Sequence, residues 1–276
     1  MPGVALEVID DSGRRVQLDQ PAQRIVSLAP HTTELLFAAG AGDAVAGVAS
    51  YSDYPPEARQ RAHIGDSQNL NLEAIVALQP DLVVAWQGGN LTAQVERLQN
   101  LGLTVFYSDP HAPEDVASNL ERLGHLAGSD AVAGKAASAF RDTYRQLQQR
   151  YSQRAPVRVF YEIWYQPLMT VNAGHLIDQV IRLCGGRNVF ADLDTLTPTV
   201  SVEAVLAAQP EVIIVGAIPE QAQDWLQRWQ DWPQLPAVQH RQLYDIHPDL
   251  LHRQTLRILQ GAQLMCEQLE HARSVR

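Results

Sequence analysis

The sequence contains no run of about 18 apolar residues, the stretch an α-helix needs to cross a bilayer, so nothing in it reads as a membrane span. Cysteine is scarce: two in 276 residues, Cys184 and Cys266. They cannot form a zinc site of the CxxC kind. An isolated distant pair suits either a disulfide in an oxidising compartment or two buried free thiols, and the residues alone leave both open. Positive charge is also short, with 21 Lys and Arg against 31 Asp and Glu for a net charge of −10. No concentrated basic face exists to meet nucleic acid or an anionic membrane. The patterns GxxxxGK[ST], GxSxG and HExxH do not occur, which leaves phosphoryl transfer, a hydrolase elbow and a zincin unsupported. Met1-Pro2-Gly3-Val4 lacks the charged region and apolar core of a secretory leader. That leaves a cytosolic protein, or a mature exported one whose leader has been replaced by a start codon.

What the sequence does have is an internal echo. Asn71-Leu72-Glu73-Ala74-Ile75-Val76-Ala77-Leu78-Gln79-Pro80-Asp81-Leu82-Val83-Val84 returns 130 residues later as Ser201-Val202-Glu203-Ala204-Val205-Leu206-Ala207-Ala208-Gln209-Pro210-Glu211-Val212-Ile213-Ile214. Each copy reads as a helix cap, a short helix with a glutamate in its first turn, a proline stop and a buried strand. With 46% apolar residues over this length, two similar α/β lobes are expected.

The rest of the chain fits that scheme. A β-hairpin is expected from Val4 to Val16 around Asp10-Asp11-Ser12-Gly13, then a strand at Arg24 to Leu28. Pro30 to Glu34 leads into a helix at Leu35 to Ala39, closed by Gly40. Strands at Ala44 to Val48, Leu82 to Trp86 and Thr104 to Tyr107 alternate with helices near Leu72 to Leu78, Leu91 to Leu101 and Pro113 to Ala127, an order that gives mostly parallel sheets covered by helices. Asp130 to Tyr151 holds strong helix formers without a proline and is the natural connector. The second half adds a strand at Val157 to Ile163, helices at His175 to Leu183 and Pro219 to Gln230, a strand at Gln242 to Ile246 and a last helix from Leu251 to Ala272. The expected organisation is thus an N-terminal lobe over 1–129, a connecting helix over 130–153 and a C-terminal lobe over 154–276.

Gly40-Ala41-Gly42-Asp43-Ala44-Val45-Ala46-Gly47 has the look of a dinucleotide loop, but it follows a helix and precedes a strand, the reverse of the order that aims amides at a pyrophosphate. A helix C-cap is the better account. None of the nine histidines forms an HxH or HxxxH pair. Aromatic rings fall in loops that follow strands: Tyr51-Ser52-Asp53-Tyr54-Pro55-Pro56, Trp86-Gln87-Gly88-Gly89-Asn90 and Trp164-Tyr165-Gln166-Pro167. Ligands collect outside the carboxyl ends of strands in such sheets, and rings there suit a bulky apolar ligand. The plainer alternative is that Tyr51 and Trp86 cap their own lobe's core. Glu73 and Glu203 fit the helix dipole at their matched first-turn positions; as a repeated pair they also suit a two-fold symmetric partner carrying arginines.

Several stretches together carry a resemblance: Arg24-Ile25-Val26-Ser27-Leu28-Ala29-Pro30 with Thr33-Glu34-Leu35, Ser50-Tyr51-Ser52-Asp53-Tyr54-Pro55, Asn71-Leu72-Glu73 through Ala85-Trp86 with Gly88-Gly89-Asn90, Cys184-Gly185-Gly186 with Asn188-Val189-Phe190, and Val200-Ser201-Val202-Glu203. On these the chain resembles the cobalamin-binding proteins of bacterial ABC importers, in the helical-backbone class of periplasmic solute-binding proteins, from about Arg24 to Gln268. The resemblance implies two lobes joined by one rigid helix, a ligand cleft between them, and delivery of cobalamin or a related corrinoid to a dimeric permease. A continuous helix limits lobe closure, so the cleft would be preformed.

The resemblance also implies roles for single residues. Glu73 and Glu203 would dock on permease arginines, Cys184 and Cys266 would be bridged, and Tyr51 and Trp86 would face the ligand. Asp249 and Arg253, in Pro248-Asp249-Leu250-Leu251-His252-Arg253, match polar cleft residues, while Ser67 and Thr197 stand where cleft tryptophans are expected. Trp164, in the aromatic stretch Tyr161 to Tyr165, would compensate. The expectation is a monomeric periplasmic receptor that does no chemistry, holds no resident cofactor or protein metal site and binds no nucleic acid. The alternative is a receptor for haem, a ferric chelate or zinc, using His31, His175 or His247; an α/β enzyme ranks last.

Overall fold

The computed structural model describes residues 5–275. Val4, the expected first residue of the hairpin, and the rest of Met1-Pro2-Gly3-Val4 lie outside the described residues. The chain divides into two compact units between Arg141 and Asp142.

The first unit opens with an antiparallel hairpin of β1 (Leu6–Ile9) and β2 (Arg15–Leu18). There follow β3 (Ile25–Ser27), α1 (Pro30–Ala38), β4 (Val45–Val48), β5 (Ala62–His63), α2 (Leu72–Ala77), β6 (Leu82–Trp86), α3 (Thr92–Asn100), β7 (Val105–Ser108), α4 (Pro113–Ala127) and α5 (Asp130–Tyr151), inside which the division falls. Five of these strands form a parallel sheet in the order β5-β4-β3-β6-β7. Being covered on both faces, its strands are runs of apolar residues rather than alternating ones. Val83 and Ala85 of β6 pack with Ile75 of α2 and with Val95 and Leu98 of α3, while α1 and α4 pack together and α1 also meets β3 and β6.

Helix α1 begins at Pro30, where the sequence led us to expect a lead-in before Leu35. The reason lies in its hydroxyls. Thr32 and Thr33 donate to the Ala29 carbonyl at 2.8 and 3.2 Å and meet the Ser27 hydroxyl at 2.6 and 2.7 Å. These bonds satisfy polar groups in a fully buried first turn, and Pro30 brings no backbone N–H that needs a partner.

The second unit repeats the plan with β8 (Val157–Glu162), α6 (Leu176–Leu183), β9 (Gly186–Asn188), α7 (Val202–Ala208), β10 (Val212–Val215), α8 (Pro219–Gln230), α9 (Pro236–Gln239), β11 (Leu243–Asp245), α10 (Pro248–Leu251) and α11 (Ile258–Ser274). Its sheet is also parallel, ordered β11-β10-β8-β9. The single last helix expected from Leu251 to Ala272 is interrupted over residues 252–257. Within the break Thr255 is buried, its hydroxyl accepting from the Arg257 amide at 3.2 Å, while His252 is half-buried. Cys184, at the end of α6, and Cys266, within α11, form a disulfide. The free-thiol alternative is thereby excluded.

The echo has one structural job, performed twice. Asn71 and Ser201 each cap their helix by accepting from the amide three residues on, at 2.9 and 3.2 Å. Gln79 and Gln209 both adopt left-handed backbone, φ 48° and 47°, just before the prolines. The Asp81 carboxylate accepts from the amides of Gln23 and Arg24, and Glu211 from that of Arg158, so each copy pins the start of its unit's central strand. The strand that follows then pairs with that central strand, β6 with β3 and β10 with β8.

Candidate ligand-binding site

In both sheets the echoed strand lies on the opposite side of the central strand from the one that precedes it in the chain, which creates a switch point between β3 and β6 and another between β8 and β10. Loops diverge there at the carboxyl ends and leave a crevice suited to a ligand.

At the first unit's carboxyl edge, the Trp86 indole donates to Asp109 Oδ1 at 3.1 Å and meets the buried His31 ring edge-on, centroids 5.4 Å apart. Asn90 accepts from the Trp86 amide at 2.7 Å while donating to the carbonyls of Leu28 and Ser67 at 3.0 and 3.1 Å. It thereby joins the loops after β3, β5 and β6, and brings half-buried Ser67 beside Trp86. Asp109 is held in turn: its amide donates to Asp11 Oδ2 at 2.6 Å, and Asp11 also meets Arg122 at 2.5 Å. The Gly-Gly step has a steric cause, because a Cβ at Gly89 would lie 1.9 Å from the Trp86 ring. Gly89→Ala should push the indole off this loop, lowering ligand affinity by roughly tenfold and altering tryptophan emission, both readable in one titration.

Tyr51 is 80% exposed and has φ of 65°. A large side chain in left-handed backbone costs on the order of 1–3 kcal/mol and persists where the surroundings impose it. They do so here: the Ser50 amide donates to the Gly65 carbonyl at 2.8 Å and the Ser52 and Thr33 hydroxyls meet at 3.0 Å, gripping both neighbours. The ring is held out to solvent, which removes the core-capping account of Tyr51.

The second unit's edge carries Trp164, 55% exposed, with its indole donating to the Gln166 carbonyl at 3.1 Å. Single-residue bridges join Trp164 to Met169 and Met169 to Thr199, tying to this edge the segment that includes half-buried Thr197. Tyr165 stacks on Trp225 at 5.7 Å, and the Arg228 guanidinium lies 3.8 Å over the Tyr165 ring. Arg228 also meets Glu162 Oε1 at 2.5 Å, and the Trp229 indole donates to Glu162 Oε2 at 2.7 Å. Asp249, after β11, pairs with Arg253 at 2.9 Å and lies 3.7 Å from Arg257. Asp249 and Arg253 are thus brought together.

His175 and His247 use Nδ1 to accept backbone amides at the starts of α6 and α10, at 3.1 and 3.2 Å. His252 meets the Tyr161 hydroxyl at 3.0 Å, and burial pushes its imidazole down to about 3 and the Tyr161 phenol up. Among the described residues no group of three or more His, Cys, Asp or Glu side chains is placed to hold a metal ion. Glu73 and Glu203 stand exposed in the first turns of α2 and α7; the Glu203 carboxyl is held below its usual range by its own backbone amide and the Ser201 hydroxyl.

Residues 25–250 match the family model for periplasmic binding proteins. The chain belongs to that family. It is 39% identical over 253 residues, 91% of each sequence, to the vitamin B12-binding protein of Vibrio cholerae serotype O1. The crystal structure of the periplasmic vitamin B12 binding protein BtuF of Vibrio cholerae superposes with a TM-score of 0.85 at 38% identity, over 92% of this chain and 98% of that one. The periplasmic haem-binding protein RhuT of Roseiflexus sp. RS-1 has a TM-score of 0.79 at 24% identity, over 91% and 99%, a likeness of fold alone.

Within this family member, sequence reasoning missed the Glu162–Arg228 pair. Its one sequence signal is a charge closing the apolar run Val159 to Tyr161; the partner comes from a helix 66 residues away. Glu162 is 0% exposed, and burial pushes its carboxyl up to about 7, with Arg228 and the Trp229 indole opposing. A carboxyl whose folded pKa is raised adds stability that is complete below its unfolded value, near 4.5, and is lost as pH rises through 7. The loss is about 3 kcal/mol. His252 acts oppositely, costing stability as pH falls below its unfolded value of about 6.5. Subtracting the urea stability of Glu162→Gln from that of the unaltered chain at each pH isolates the carboxyl. The difference should decline by about that amount from pH 4.5 to 8; a flat difference would refute it.

Proposed function

We propose that this chain captures cobalamin or a related corrinoid in the periplasm and hands it to a dimeric ABC permease without acting on it chemically. The observation that carries the proposal is near full-length similarity to proteins named for vitamin B12 binding. The site's chemistry agrees. A corrin presents a broad apolar face fringed with amides; Tyr51, Trp86 and Trp164 supply rings, while Ser67, Thr197, Asp249 and Arg253 supply polar groups for the fringe. The helix α5 serves as the connecting backbone, and the cobalt belongs to the cargo. Glu73 and Glu203 are the docking residues. Calorimetric titration of the purified protein with cyanocobalamin should give one-to-one binding, and no heat at high micromolar concentration would sink the corrinoid reading.

A receptor for haem, a ferric chelate or zinc is the second reading, supported by the shared fold of a haem-binding protein. Its histidines are less suited, since His175 and His247 each commit a ring nitrogen to a helix cap. A visible spectrum and metal analysis of freshly purified protein separate the two readings.

A further inference from the structure

Leu72, Glu73, Val76 and Ala77 of α2, with Arg97 of α3 and Leu101 just beyond its end, line a hollow of about 370 Å³. The hollow is apolar inside, and two of its linings are large apolar residues left to solvent, Val76 at 41% and Leu101 at 58%. The echo supplies an internal comparison. In α7 the position of Val76 is taken by Leu206, which packs against the cluster containing Trp225 and Trp229. Both copies cap a helix, turn at a proline and send a strand into the sheet, so the shared structural job does not require the apolar side chain at this position to stay open as Val76 does. Charges flank the opening: neither Glu73 nor Arg97 has an ion-pair partner among the described residues. An apolar hollow between one free anion and one free cation fits an apolar side chain flanked by a cation on the Glu73 side and by an acceptor on the Arg97 side.

We infer that this hollow is a socket for an apolar side chain of the permease, seated beside the arginine that Glu73 meets. The inference rests on the docking role proposed for Glu73 and adds an apolar contact beside it. The permease would therefore hold the first unit by charge and by a buried side chain. A contact of the second kind is little affected by salt, whereas an exposed ion pair is screened.

Two variants test the socket. Val76→Asp places a charge in the hollow, and Ala77→Phe fills it from within; both positions are exposed, so folding is spared. Each is compared with Glu73→Gln in cyanocobalamin uptake by proteoliposomes holding the cognate permease and ATPase, with cyanocobalamin affinity and thermal midpoint as controls. Both socket variants should raise the half-saturating concentration of binding protein about tenfold or more, Ala77→Phe equally at low and high salt, with the controls unchanged. Should they behave as the unaltered chain while Glu73→Gln is impaired, the socket is overturned and the docking role stands. If all three behave as the unaltered chain, both ideas fail. Impairment of the socket variants alone supports the socket and removes the role given to Glu73.

Discussion

A chain with Cys184→Ala and Cys266→Ala together is expected to lose about 4 kcal/mol of stability. The two positions lie 82 residues apart, and the bridge spans β9, α7, β10, α8, α9, β11 and α10. Opening so long a loop in the unfolded chain restores conformational freedom worth about 4.5 kcal/mol on the loop-entropy account. The native state keeps part of the fastening, which argues for slightly less. Arg273, near the end of α11, donates to the carbonyls of Cys184 and Gly185 at 2.7 and 3.1 Å and to that of Ala155 at 2.7 Å. Alanine fits better here than serine, because both cysteines are fully buried and a hydroxyl would need a partner. Urea unfolding of the double variant, beside the unaltered chain with and without reductant, measures the loss. A change below 1 kcal/mol would mean that packing of α11 on α6 and the Arg273 bonds, rather than the bridge, hold this end of the second unit.

The sequence made some elements legible and hid others, for identifiable reasons. Helices α4 and α8 start where expected because Pro113 and Pro219 occupy their first turns, and α4 stops at Gly128, which takes left-handed backbone. Strand β9 went unread: Gly186, Arg187 and Asn188 have no strand preference, and they pair only because β8 offers an open edge. The break between α10 and α11 was hidden because Thr255 looks like an ordinary surface helix residue until its burial is known. At the site, Tyr51, Trp86 and Trp164 stood out as large rings in loops after strands. The groups that orient them did not, since Asp109 lies 23 residues from Trp86 and reaches it through its own hold on Asp11. Local pattern marks rings and caps; a side chain whose partner arrives from another strand or helix leaves no periodic trace.

Replacing Glu73 and Glu203 together by glutamine should abolish permease-stimulated transport while leaving cyanocobalamin affinity within twofold. Both side chains are exposed in the first turn of a short helix capped by another residue, Asn71 or Ser201, so the helices keep their caps when the carboxylates go. In fold terms both glutamates complement the helix dipole, Glu203 also meets its own amide and the Ser201 hydroxyl, and glutamine preserves their shape and an acceptor oxygen. Docking is different, because a charge pair excluded from water at an interface couples far more strongly than the same pair in solvent. Losing two such pairs should raise the half-saturating concentration of binding protein by about a hundredfold or more, and each single variant should fall between. Salt sharpens the test: raising ionic strength should weaken docking of the unaltered chain and leave the residual docking of the double variant almost unmoved. The echo explains why the pair acts together. It sets each carboxylate at the same place on its own unit, in the first turn of the helix that precedes the strand pairing with the central strand, as two like arginines of a symmetric partner would require. Transport that survived the double change would reduce Glu73 and Glu203 to helix-dipole residues and leave the echo as a feature of the fold alone.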